Sequence, residues 1–171
     1  MENITATRKW SELQGIAIVS LAEGKKIGTL DDFYFDQANS NIYALRIKTG
    51  LFGHKLLPVV HINGIGQDAI TIENDDILAD EKADEKLSTY GTGRNLLSYK
   101  VMSAGGSVVG TVGNLLIETS VPRALRIAEF ELSGGFRERI SRRYSSFPSE
   151  QLLQYGHDVL VIPDELAQSL Q

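Results

Sequence analysis

A chain of 171 residues, 42% hydrophobic and 23% charged, has globular composition and is long enough for one ordinary domain or two small ones, which excludes disorder. It contains no cysteine, which excludes a disulfide framework and thiolate chemistry and makes the reducing cytoplasm the expected location. The net charge of −5 argues against broad nucleic-acid affinity, which needs many basic groups over one face.

Taken in order, the residues read as short strands. The N-terminal stretch MENITATRKW has no apolar core for a signal peptide, and no later segment is apolar over the length of a membrane span, so the expectation is a chain neither exported nor membrane-spanning. Ser11 suits the cap of a short turn before a strand at 16–21, and Ala22-Glu23-Gly24 supplies the glycine of a tight hairpin. The next strand, 26–36, carries Gly28 where a bulge or bend would let a small sheet curl. Turn residues at 36–41, alternation over 43–48, a strand at 56–60 against Pro58 and another at 69–73 complete a set of about five strands. Residues 76–87 and 164–170 are the helical candidates. The first lies in an acidic run, Asp75, Asp76, Asp80, Glu81, Asp84 and Glu85, whose mutual repulsion favours solvent and marks a linker. Cutting after Lys86 leaves 9 basic and 14 acidic residues before the cut and 8 of each after it, so the whole acidic excess is N-terminal.

The second half repeats the first. VSLAEGKKIGTLDDFYFD (19–36) lies over VMSAGGSVVGTVGNLLIE (101–118) without a gap, pairing Gly28 with Gly110. LRIKTGLF from Leu45 lies over FELSGGFR from Phe130, and PVVHINGIGQDAITI from Pro58 over PSEQLLQYGHDVLVI from Pro148. A repeat of this size makes each copy one unit of the fold.

These segments together resemble the PRC-barrel family, named for the photosynthetic reaction centre. KKIGTLDDFYFD and SVVGTVGNLLIE carry the resemblance most strongly, followed by IKTGLFGHKLLPVV and the diverged LSGGFRERISRRYSSFPSE. The resemblance implies a mainly β protein: two tandem small PRC-type β-barrels packed as a pseudo-twofold pair, with a short linker helix and a C-terminal helical turn. The expected organisation is a tail at 1–8, a first module at 9–75, an acidic linker at 76–93 and a second module at 94–171. The family implies binding and assembly rather than catalysis, including assembly on membrane complexes and ribosome maturation. This chain lacks the transmembrane helix of the reaction-centre subunit, and its first half differs from that of the maturation factor.

The residues themselves offer little chemistry. His54, His61 and His157 have no ligand spacing and read as surface or turn residues, so neither metal nor other cofactor is expected. Ser107 lacks the second glycine of a nucleophile elbow, and Gly91-Thr92-Gly93 lacks the third glycine of a dinucleotide fingerprint and reads as a flexible linker end. Asp31-Asp32 reads as a solvated strand pair whose carboxylates diverge, and 36–41 as a turn rather than a calcium loop. Two features stand out. Phe33-Tyr34-Phe35 and Leu115-Leu116-Ile117 put apolar side chains on both faces of a strand, so Tyr34 and Leu116 either pack under their own module's loops or form the interface between modules. Arg137, Arg139, Arg142 and Arg143, interleaved with Phe136 and Tyr144, form the basic cluster of the second module and a candidate partner-binding loop. The resulting expectation is a non-catalytic adaptor or assembly module for a protein partner, peripheral to a membrane complex in one version. An RNA-binding, ribosome-related factor using the same loop is the alternative.

Overall fold

The computed structural model describes residues 6–133 and 145–170. The chain runs through β1 (Thr7–Lys9), a one-turn helix α1 (Trp10–Leu13), β2 (Ala17–Ser20), β3 (Lys25–Phe35), β4 (Ile42–Thr49), β5 (Gly53–Pro58), β6 (Ile62–Ile65) and β7 (Ala69–Ile72). The same order then recurs as β8 (Gly91–Thr92), α2 (Gly93–Leu96), β9 (Lys100–Ser103), β10 (Val108–Glu118), β11 (Arg126–Ser133), β12 (Ser146–Pro148), β13 (Gln154–Tyr155) and β14 (Val159–Ile162), followed by α3 (Asp164–Ser169).

Each set folds into one mainly antiparallel sheet, ordered β5-β4-β3-β2-β7-β6 in the first unit and β12-β11-β10-β9-β14-β13 in the second. The outermost strands of each order are consecutive in the chain, joined through the short 3-10 turns Val59–His61 and Ser149–Gln151. A sheet whose two ends are tethered so closely must curl, which gives two small barrel-like units. Pro58 and Pro148 sit at the ends of the terminal strands β5 and β12, where a missing N–H costs no ladder bond. In each unit one parallel pair, Ile18 opposite Ile70 and Val101 opposite Leu160, brings four fully buried side chains together.

The leading strand of each unit belongs to the sheet of the other. β1 pairs with β10, Lys9 opposite Leu116, and β8 pairs with β3, Thr92 opposite Tyr34. The two residues singled out on the double-faced strands, both half-buried, therefore face an exchanged strand across the backbone. Tyr34 also donates its hydroxyl to the Glu81 carboxylate. Gly91 and Gly93 are not a flexible linker end. An added Cβ would lie 2.6 Å from the Phe35 ring at Gly91 and 2.4 Å from the Phe33 ring at Gly93, so only glycine lets this segment lie on those rings.

The exchange is held by one polar device used twice. Asp32 Oδ1 accepts from the N–H groups of Phe33 (2.8 Å) and Arg94 (3.0 Å) in α2, while Asn114 Oδ1 accepts from those of Leu115 (2.9 Å) and Ser11 (3.2 Å) in α1. Asp32 is thus buried and not a solvated partner of Asp31, correcting the expectation for that pair. Asp31 is also engaged, 3.0 Å from Arg46, 3.2 Å from Arg94 and 3.7 Å from His54. Burial raises the Asp32 carboxyl above its ordinary 3.8, opposed by the two N–H donors. The folded state then holds this proton more tightly than the unfolded state, so the contribution of Asp32 to stability falls as pH rises from about 4 through the folded pKa. Asp32→Asn, which installs the residue used by the second unit, is expected to remove that pH slope and retain wild-type stability at neutral pH. Asp32→Leu should cost about 1–3 kcal/mol by orphaning two N–H groups. Urea denaturation of both variants between pH 4 and 7 is the check, and a retained slope in Asp32→Asn would assign it elsewhere.

The repeat is not gapless. Gly28 lies opposite Ile18, and Gly110 opposite Val101, so the two glycines do correspond, but Val101 matches Ile18 rather than Val19. The hairpin turn between the first two strands of each unit absorbs the one-residue slip, and both pairs carry a bulge there.

The acidic linker is neither a regular helix nor free in solvent. It forms three 3-10 turns, Asp75–Ile77, Glu81–Ala83 and Glu85–Thr89, and lies along β3 to β5. Ala79 and Leu56 exchange both backbone bonds (2.8 and 2.9 Å), Tyr43 donates to Asp84 (2.7 Å), and Arg46 lies 3.0 Å from Glu81 as an ion pair. The carboxylates that repel in sequence are spread over tyrosine and arginine partners. Burial and then Glu81 raise the Tyr34 hydroxyl, and Asp84 and then burial the Tyr43 hydroxyl, each to about 12, so both remain donors at neutral pH.

Buried side chains of both units form one continuous core. Its aromatic members run across the junction: Trp10 to Phe33 (4.9 Å between ring centroids), Phe33 to Phe35 (6.0 Å), Phe35 to Tyr155 (5.2 Å), Tyr155 to Phe130 (6.0 Å) and Phe130 to Phe147 (5.3 Å).

Candidate functional site

The two units also meet at a reciprocal backbone junction. Asn41 and Arg126 face one another in an isolated antiparallel bridge, the Ile42 N–H donates to the Leu125 carbonyl (2.9 Å), and the Ile127 N–H donates to the Ser40 carbonyl (3.0 Å). Asn41 and Arg126 occupy equivalent places in the two copies, so the local pseudo-twofold passes between them. On one side of this axis lies an open cleft of about 640 Å³, lined by the 37–40 turn, Arg126 and the segment from Ser149 to Tyr155.

The turn at 36–41 is fixed by its own side chains: Asp36 Oδ1 accepts from the Ala38 N–H and Asn39 Oδ1 from the Asn41 N–H, both at 2.9 Å. Two of the oxygens that could have served a cation are thereby engaged by backbone donors. Ser40 adopts φ of 64°, which turns its hydroxyl to within 2.7 Å of the Tyr155 hydroxyl. Tyr155 wedges its ring between Phe35 and Phe130, and burial pushes its hydroxyl up to about 12. Arg126 lies 2.6 Å from Glu150, 3.2 Å from Glu118 and 3.2 Å from Ser149 Oγ. Glu150's own N–H and the Arg126 guanidinium hold the Glu150 carboxyl below its ordinary range. Leu152 and Leu153 form the apolar rim, and Leu153 is 57% exposed.

On the other side of the axis arginines bridge the corresponding segments. Ile62 is the counterpart of Leu152, and there Arg123 Nε donates to the Ile62 carbonyl (3.3 Å) while Arg8 donates to the carbonyls of Gly66 and Gln67. One of the two equivalent junctions is bridged by arginines, and the other carries the open cleft.

Residues 7–85 match the PRC-barrel domain. The match covers the first unit and the linker as far as Glu85, and the second unit repeats the strand order of the first. No curated protein matches the chain.

Of the residues selected from sequence, Arg137, Arg139, Arg142, Arg143, Phe136 and Tyr144 lie outside the described residues. Their segment leaves β11 after Ser133 and rejoins at Ser145, and β12 then leads directly into the Ser149–Gln151 turn of the cleft. Tyr34 and Leu116 lie at the exchanged strands, away from the cleft. His61 and His157 are exposed, and among the described residues no group of three or more potential ligands could hold a metal. No helix among them is long and apolar enough to cross a membrane. The cleft residues Arg126, Tyr155 and Ser40 were not selected from sequence. Their signal was the difference between copies: Tyr155 stands where the first unit has Ile65, and Arg126 where it has Asn41.

Proposed function

We propose that the chain is a non-catalytic protein-binding module that takes a segment of its partner into the open junction cleft, with the arginine loop at 134–144 as a second contact. The observation that carries this reading is the open cleft at one junction, where the equivalent junction is bridged instead by Arg8 and Arg123. The cleft combines an apolar rim, Leu152 and Leu153, with fixed polar groups at Arg126, Glu150 and Asn39, a mixture suited to a protein segment. Glu118 and Glu150 already flank Arg126, which disfavours a phosphate chain there. A carboxylate held ionised and a tyrosine held protonated are poorly matched to proton transfer near neutral pH, in keeping with a binding role.

Full-length protein used as bait on lysate of its source provides the test. Leu153→Glu places a charge on the apolar rim, where the bound segment would have to cover it, and should weaken capture by about 30-fold or more. Replacing Arg137, Arg139, Arg142 and Arg143 together by glutamine should weaken it further, with an unchanged circular dichroism spectrum in both variants. Undiminished capture by Leu153→Glu would remove the cleft as the site.

A further inference from the structure

The hairpin between β4 and β5 ends in two adjacent apolar residues, Leu51 and Phe52, exposed to 84% and 94%. Among the described residues, the other large exposed apolar side chains lie between 52% and 62% and stand singly. The tip is tightly built: Thr49 pairs with Gly53, Gly50 has φ of 62°, and an added Cβ on Gly53 would meet the Thr49 carbonyl oxygen at 2.8 Å. Both side chains are thus displayed on a narrow, closed turn, where packing within the unit gives no account of them.

Lysines surround the base of this tip. Lys25, Lys26 and Lys55 line an open groove of about 440 Å³ beside Thr49, with Asp75 as its acidic member. Lys48 lies across the hairpin from His54, one register step from the Lys55 pair, so strand alternation puts Lys48 and Lys55 on opposite faces. Lys25 is 3.2 Å from Glu23, whereas Lys26, Lys48 and Lys55 have no ion pair among the described residues. The chain as a whole is acidic, which makes this a local concentration of positive charge around an apolar point.

We propose that this hairpin docks the protein on the surface of an anionic lipid bilayer, with Leu51 and Phe52 inserted among the upper acyl chains and the lysines at the phosphate level. Lys48 and Lys55 each stand three residues from the nearer tip residue, in the two strands that the turn joins, so their charges follow directly behind the inserted side chains. Two inserted side chains alone hold a protein weakly, and each lysine near an anionic surface adds to that hold, so the contact requires both. The surface is separate from the junction cleft.

The test is co-sedimentation of the full chain with vesicles of phosphatidylcholine alone or containing roughly one-third phosphatidylserine, at low and high salt. Binding to the anionic vesicles should be on the order of tenfold or more tighter than to the neutral ones and should weaken with salt. Leu51→Ser with Phe52→Ser should reduce it by on the order of tenfold or more. Gln at Lys25, Lys26, Lys48 and Lys55 should abolish the preference for phosphatidylserine. A Phe52→Trp variant adds a reporter against the buried Trp10, and its emission should shift to shorter wavelength on anionic vesicles. Wild-type protein remaining in the supernatant with both vesicles, or a double serine variant that sediments as well as wild type, would overturn the proposal, and a protein pocket would then be the occupant of the tip.

Discussion

Gly28→Val is expected to leave little folded protein, whereas Gly110→Val at the equivalent position should fold with only a modest loss. A Cβ at Gly28 would lie 2.5 Å from the Lys48 carbonyl oxygen and 2.7 Å from Ile47 Cγ2. The first obstacle is backbone within the β3–β4 ladder, which cannot turn aside as a side chain can, so the strands must separate at the bend. A cost of about 3 kcal/mol or more follows from combined overpacking and ladder disruption, a large part of the stability of a small domain. At Gly110 the nearest atom to an added Cβ is Leu132 Cδ1 at 3.5 Å, an ordinary contact, and about 1 kcal/mol is expected. In the sequence the two glycines occupy the same place in the repeat. The structure separates them: on β10 the crowded position is Gly113, whose Cβ would meet the Ser133 backbone at 2.9 Å. Urea midpoints of the two valine variants decide the matter, and matched midpoints would show that the bend does not depend on the absence of a side chain at Gly28.

What the sequence made legible follows from period and repetition. Alternation over β4 and the apolar β3 and β10 segments predicts strands whose inward residues, Leu45, Ile47, Phe33 and Leu115, are fully or almost fully buried. What it hid was how the two copies join. β1 and β8 are three and two residues long and mostly polar, too short for any alternation to register. They become strands because β10 and β3 offer free edges beside them, a tertiary cause that local propensity does not encode. Asp31-Asp32 reads from sequence as a solvated pair, since neighbouring strand residues point to opposite faces and their carboxylates diverge. The burial of Asp32 follows from the arrival of the Arg94 N–H, contributed by a segment 62 residues away. The cleft was hidden for a related reason, since Ser40, Arg126 and Tyr155 converge only at the junction between copies. Comparing the two copies position by position, rather than averaging them into one pattern, exposes such sites.

Severing the chain after Ser88 should yield halves that do not fold independently as monomers but reconstitute on mixing. The fragment ending there loses β8 and α2, leaving the Phe33 and Phe35 rings without Gly91 and Gly93 and the Asp32 carboxylate without the Arg94 N–H. The other fragment loses β1 and α1, and with them the partners of Leu116 and Asn114. Both lose the Phe35–Tyr155 contact and the Ser40–Tyr155 hydrogen bond. Units of about 80 residues bury little more than 60% of the surface their unfolded chains expose, so the removal of one exchanged strand and one face of the aromatic core leaves too little to offset chain entropy. Each fragment keeps its own leading strand and a vacant sheet edge of the kind that strand occupies, so self-dimers or aggregates are the expected products in isolation. Mixing should instead restore a one-to-one complex with a cooperative urea transition. Size-exclusion chromatography and circular dichroism of the separate and mixed fragments provide the measurement, and two monomeric halves that each unfold cooperatively would show that the strand exchange decorates the fold rather than holding it together.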